Sequence, residues 1–204
     1  MPFSFTFNTK TTVRRVLENP YDHYHLATLH KLPTPTTSIQ VTLLDELPPD
    51  SQSEPRTKNE ARYGALVETK IERYLYFGPI NALAKVLGLN TETFMTRIDT
   101  WPSGHFFTIY INGKEKVSMM QGITPVGENN TTEYVVLMIK KTGSFWQDLV
   151  SYAVFGLQNK AVGAQDIPVF NTLNDDKGGA YVKHDRPALK FREFYQSWVD
   201  KVEI

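Results

Sequence analysis

Phe3, Phe5 and Phe7 alternate with Ser4, Thr6 and Asn8, a period of two that predicts a half-buried strand at the start of the chain. Further strand-like runs occupy 39–44, 64–76, 94–101, 105–112, 116–124 and 133–141, with Asn112-Gly113 as a hairpin signal between the fourth and fifth of these. The proline- and charge-rich stretch 45–59 reads as an exposed loop. Helical patterns cover 11–18, 19–30, 79–87 (closed by Gly88) and 187–201. Asn19-Pro20 is a helix start, with a favoured cap, proline at the first helical position and Asp22 in the first turn. Ser144-Phe145-Trp146-Gln147 resembles a capping box and opens a long helix, on which Trp146, Leu149, Val150, Ala153 and Leu157 share one face. Pro168 disfavours helix at Ile167 and so places Asp166 near or just beyond the end of that helix. The sum is α+β: a curved antiparallel sheet wrapped around a long helix near the C-terminus.

At 204 residues the chain is one domain's length, 1–204, and 41% hydrophobic with 22% charged residues is an ordinary globular composition. Formal net charge is zero and no basic cluster stands out, which argues against nucleic acid or an anionic membrane surface as partner. No apolar run is long enough to span a bilayer, and the first residues lack the basic start and apolar stretch of a signal peptide, so a cytoplasmic location is expected. The absence of cysteine excludes disulfides, thiolate-ligated zinc and any complete iron–sulfur cluster within these residues.

The densest chemistry lies between positions 22 and 30, where Asp22, His23, His25 and His30 bring together three of the five histidines and a carboxylate. Two imidazoles with one carboxylate form a facial triad for Fe(II) that leaves coordination positions open. Asp166, in Gln165-Asp166-Ile167-Pro168, is a downstream residue able to supply the carboxylate. Asp22 and His25, three apart, share a helical face. His25 and His30, five apart, diverge by about 140° on a regular helix. One ion therefore takes both only if the helix carries a π-bulge or ends just before His30, and the proline-rich stretch beyond makes the second option easy. The plainer alternative is a polar, aromatic helix that happens to be rich in histidine.

The segment Glu18-Asn19-x2-Asp22-x2-His25-x4-His30 closely resembles the iron-binding motif in the catalytic domain of Rieske-type non-haem iron ring-hydroxylating oxygenases. Gln165-Asp166-Ile167-Pro168-Val169-Phe170 and the closing segment from His184 to Tyr195 are similar to later parts of the same family, in the same order. The resemblance implies a helix-grip (START/Bet v 1-like) fold enclosing a cavity, with Fe(II) held by His25, His30 and Asp166. It assigns Asp22 the role of electron bridge toward a cluster on a neighbouring subunit, the other reading being a helix N-terminal charge. It also implies an apolar aromatic, steroid-like or pigment-like substrate, O2, and a trimer-like oligomer.

One departure from the family pattern matters. With no cysteine these residues cannot carry the Rieske cluster, which relatives place ahead of the catalytic domain, and Fe(II) alone lacks the electrons for monooxygenation. The first expectation is thus a catalytic component lacking the Rieske domain, supplied by a separate Rieske or ferredoxin-type protein. The alternative is a non-catalytic hydrophobic-ligand carrier or partner subunit of the same fold. Zinc in the same triad is a weaker third. His23 is expected at the surface or behind the ligands, His105 at a strand start, and His184 exposed. Phe145, Trp146, Met119, Met120 and Met138 are expected in the core.

Overall fold

The computed structural model describes residues 2–31, 39–47, 62–70, 93–173 and 181–202. Among these described residues seven strands, β1 (Pro2–Thr9), β2 (Gln40–Leu43), β3 (Tyr63–Lys70), β4 (Thr93–Trp101), β5 (Gly104–Ile111), β6 (Lys114–Gly127) and β7 (Asn130–Ile139), form one antiparallel sheet in the order β1-β7-β6-β5-β4-β3-β2. The first strand thus pairs with the last, Phe7 opposite Glu133, and closes the sheet against the long helix. The β5–β6 hairpin turns at Asn112 and Gly113, both left-handed (φ 50° and 71°), as the Asn-Gly pair predicts. The expected helix at 79–87 lies outside the described residues, as do 71–76 of the predicted third strand and 48–59 of the loop.

Helix α1 (Val13–Glu18) runs into a 3-10 turn at Asn19–Tyr21, then α2 (Tyr24–Thr28). Helix α3 (Phe145–Phe170) lies across β1 and β7, and α4 (Arg186–Val202) packs on α1 and β3. α1, the 3-10 turn and α4 share a core in which Leu17, Tyr21 and Phe191 are fully buried. Arg192 on α4 fastens that layer by a fork of hydrogen bonds to both carboxylate oxygens of Glu18.

Two expectations for α3 fail. The helix continues through Pro168 to Phe170 instead of stopping before the proline, so Asp166, near the helix end as expected, lies within the helix and not beyond it. Asp166 and buried Phe170, one turn apart, both face inward, and their packing carries the backbone past the proline, which itself faces solvent. The apolar strip also faces the other way: Phe145, Trp146, Leu149 and Leu157 are exposed. The inward face is built from Ser151, Phe155, Gly156 and Phe170, with Gly156 against the ring of Phe3 and Gly163 against that of Phe7. A β-carbon at either glycine would stand within 2.7 Å of a ring atom, so small residues, not large ones, mark the packed face. Ser144 makes no side-chain cap. Asp148 instead accepts from the Thr142 N–H and hydroxyl and ties down the preceding turn.

Candidate metal centre

The helix predicted over 19–30 is broken at Asp22 (φ −86°, ψ 85°), and its second part ends at Thr28. At that end the carbonyl of His25 accepts both the Leu29 N–H (2.8 Å) and the His30 N–H (3.2 Å). The second is an i→i+5 bond, a π-type turn that widens the last coil, and Lys31 follows in the left-handed region at φ 52°. Both routes weighed from spacing thus operate together, and the His25 and His30 rings stand with centroids 5.0 Å apart at 77°.

Each ring is oriented from behind. The Asp22 main-chain carbonyl accepts a short hydrogen bond from Nδ1 of His25. Gln165 Oε1 accepts one from Nδ1 of His30 at 3.0 Å. A proton fixed on Nδ1 leaves the Nε2 lone pair of each ring directed forward. Nε2 of His30 faces Asp166 Oδ1 at 3.4 Å. One ligating atom from each of His25, His30 and Asp166 lies within 4.8 Å of the other two. Burial lowers the proton affinity of His25, keeping it a neutral donor, and raises that of Asp166 against the opposing pull of both imidazoles and a side-chain hydrogen bond from Asn19.

Asp166 Oδ1 is buried with no hydrogen-bond partner. Facing two imidazole lone pairs, it is an acceptor among acceptors, costly in a bare protein and resolved by a cation. Two neutral nitrogens and one carboxylate suit Fe(II) in its open-sided form, so the residues present fit that ion.

Of the other sequence-marked residues, Asp22 has its carboxylate exposed, accepting the Tyr24 N–H at 3.2 Å, while its carbonyl orients His25. His23 is buried, not at the surface, and stacks on Tyr24. His184 is exposed as expected. His105 is fully buried at the start of β5, its Nδ1 2.7 Å from the Thr100 hydroxyl, which in turn meets the Tyr21 hydroxyl at 2.5 Å. Met119 lines the cavity, whereas Met120 and Met138 are exposed.

The triad opens on a cavity of about 220 Å³ between the sheet, α2 and α3, with Phe5, Phe7, Phe94 and Phe107 among its walls. That exceeds the roughly 150 Å³ that accommodates benzene in an apolar core. Four polar residues of its wall escaped the sequence reading: Glu133 on β7, Gln121 on β6, Thr96 on β4 and Asn159 on α3. For Glu133 the readable signal was a charge in an inward row that continues with Val135, Leu137 and Ile139.

Burial pushes the Glu133 carboxyl up from the ordinary 4.5 to about 7, opposed by the hydrogen bond from Gln121. Between those values the unfolded chain has lost the proton that the folded chain keeps, so stability falls as pH rises. Metal-free wild type should lose about 2–3 kcal/mol relative to Glu133→Gln between pH 5 and pH 8, measured by urea unfolding. A gap that stays constant with pH would refute this.

Among solved structures, dicamba monooxygenase bound to 3,6-dichlorosalicylic acid matches 99% of the chain and 59% of its own at TM-score 0.68 and 12% identity. NdmB of Pseudomonas putida CBB5 matches 100% of the chain and 52% of its own at TM-score 0.63 and 13% identity. Identities this low speak for the helix-grip fold alone. No protein-family profile matches the sequence. Fold and motif together define a class, and the chain is a relative of the catalytic domains of Rieske-type non-haem iron oxygenases. At the level of a single protein, it is 34% identical over 202 residues to aminopyrrolnitrin oxygenase PrnD of Pseudomonas fluorescens, covering 99% of the chain and 54% of that protein. The chain thus spans about half the length of this curated relative. Among the described residues no helix is long and apolar enough to cross a membrane.

Proposed function

We propose that the chain is the catalytic part of a cytoplasmic Rieske-type oxygenase that binds Fe(II) through His25, His30 and Asp166 and oxidises an apolar substrate held in the adjoining cavity. The observation that carries this reading is the convergence of those three ligating atoms within 4.8 Å, one of them a buried carboxylate oxygen without a hydrogen-bond partner. Fe(II) held by these residues would supply a centre for activating O2 with electrons from outside.

The residues of the chain do the rest. The Asp22 carbonyl and Gln165 hold the imidazoles in the tautomer that presents Nε2. The phenylalanine walls place an apolar molecule beside the centre and exclude water. The exposed Asp22 carboxylate, on the residue whose carbonyl touches His25, is suited to meet a donor at the surface. Electrons come, in this reading, from a Rieske or ferredoxin-type cluster held outside these 204 residues. The exposed strip of Phe145, Trp146, Leu149 and Leu157 offers apolar surface for a trimer-like assembly. The name of PrnD points to an amine among the substrates of such relatives.

The test is anaerobic Fe(II) titration of the purified protein, followed by O2 uptake with a reduced Rieske-type donor and an apolar aromatic substrate. One equivalent of tightly bound Fe(II) and donor-dependent, substrate-coupled O2 consumption are expected. Protein that takes up no Fe(II) yet retains a bound lipid or pigment would overturn the proposal in favour of a carrier.

A further inference from the structure

Most of the cavity wall is apolar, and β6 and β7 reach it through Met119, Gln121, Glu133 and Val135, two apolar and two polar residues. On β6 the row Val117, Met119, Ile123 is interrupted by Gln121. On β7 Glu133 stands in the buried row Thr131, Glu133, Val135, Leu137, Ile139. Gln121 pairs in register with Val135, and Glu133 with Ile123, so the two polar side chains are diagonal neighbours on the same face of adjacent strands. Gln121 Nε2 donates to Glu133 Oε2. Among the described residues this is the single side-chain hydrogen bond of the Glu133 carboxyl. The residue is 4% exposed. Among the described residues no lysine or arginine lines the cavity.

A carboxyl placed in an apolar wall with half its acceptor capacity unused is unfavourable for folding alone. The metal triad does not use it. Its free acceptor sites, backed by the Gln121 amide, face a space walled by aromatic rings. We infer that Glu133, oriented by Gln121, is the specificity-determining residue of the cavity and accepts a hydrogen bond from an N–H or O–H on an apolar, ring-bearing substrate. The same acceptor, with no cation beside it, disfavours a substrate carrying a carboxylate. The inference deepens the oxygenase reading, on which it rests for treating the cavity as a substrate site.

The test uses three ligands of matched ring and size, 4-chloroaniline, 4-chlorotoluene and 4-chlorobenzoate, each titrated calorimetrically at pH 8, where the Glu133 carboxyl is ionised, into the whole chain, metal-free and Fe(II)-loaded. Wild type should bind the amine at least about tenfold more tightly than the methyl compound, because a site built to hydrogen-bond a donor rejects the analogue that lacks it. The carboxylate should bind more weakly than either. Glu133→Leu should erase the preference for the amine, whereas Glu133→Gln, which keeps an acceptor oxygen, should retain most of it. Fe(II) uptake should persist in both variants. Equal wild-type affinity for amine and methyl compound, tighter binding of the carboxylate, or a preference that survives Glu133→Leu would overturn the inference. The wild-type comparison decides even if Glu133→Leu fails to fold. Absence of the donor preference in wild type with normal Fe(II) uptake refutes this inference alone. Failure of wild type to take up Fe(II) refutes the oxygenase reading, and the metal-free titrations still decide the donor preference.

Discussion

Asp166→Asn is expected to weaken Fe(II) binding by at least about a hundredfold while making the metal-free protein more stable, and the opposite signs are the point of the experiment. In the bare protein the carboxylate oxygen Oδ1 is buried without a hydrogen-bond partner and faces the Nε2 atom of His30 at 3.4 Å. With Nδ1 of that ring already donating to Gln165, two acceptors oppose each other. An amide of the same shape replaces the charge by a neutral group whose N–H can donate to Nε2. Removing a buried, under-satisfied carboxylate in this way should raise metal-free stability by about 1–3 kcal/mol at pH 8. The ion reverses the order. Wild type gains RT ln(1 + [L]/Kd), about 2.7 kcal/mol at a hundredfold excess over Kd, and the variant gains almost none. His25→Ala should lose the ion in the same way, but without the metal-free gain, since it removes a neutral ring that is hydrogen-bonded through Asp22. Urea unfolding with and without Fe(II) under anaerobic conditions measures both effects. Equal Fe(II) affinity in wild type and Asp166→Asn would remove the carboxylate from the centre. A metal-free Asp166→Asn less stable than wild type would show it to be an ordinary structural acid.

What could be read along the chain follows the range of the physics involved. The strands were legible because a sheet with one wet face writes a period of two, as in Phe3, Phe5 and Phe7, and because Asn112-Gly113 demands a left-handed turn. His25 and His30 were legible because both ligands lie within one turn-and-a-half of local backbone, where spacing translates into angle. Asp166 was not derivable by that route, since its position depends on how α3 crosses β1 and β7. It was matched by family resemblance, and its local setting was misjudged because Pro168 marks a helix end in isolation but not under inward-facing Asp166 and Phe170. The orientation of α3 was misread for a related reason. Its large apolar residues advertise one face, whereas Phe3 and Phe7 require Gly156 and Gly163 on the other. Such complementarity involves two segments at once, and no single window contains both. Glu133 and Gln121 were readable in principle, as polar breaks in inward rows, once strand facing was fixed.

Phe191→Ala should cost about 3–5 kcal/mol of stability and also weaken Fe(II) binding by roughly tenfold, although Phe191 does not line the cavity. The side chain is fully buried and stacks on Tyr21 at 5.2 Å and 15°, with Tyr63, Phe194 and Tyr195 around it. The Tyr21 hydroxyl is held by that of Thr100, which is itself hydrogen-bonded to His105. It ends the 3-10 turn immediately before Asp22, whose carbonyl holds the His25 ring. A cavity behind Tyr21 therefore loosens the backbone that sets His25 relative to His30, and the ion must then supply the ordering that packing supplied before. Phe191→Leu, which keeps most of the volume, should recover most of both losses. Tyr21→Phe separates the two supports, since it keeps the stack and deletes the hydroxyl. It should leave Thr100 and His105 paired with each other and cost about 1 kcal/mol. The measurements are urea unfolding of the metal-free variants and anaerobic Fe(II) titration at a temperature where each remains folded. Full loss of stability in Phe191→Ala with unchanged Fe(II) affinity would mean that α4 supports the fold without tuning the centre, and that the ligand turn is rigid through its own hydrogen bonds.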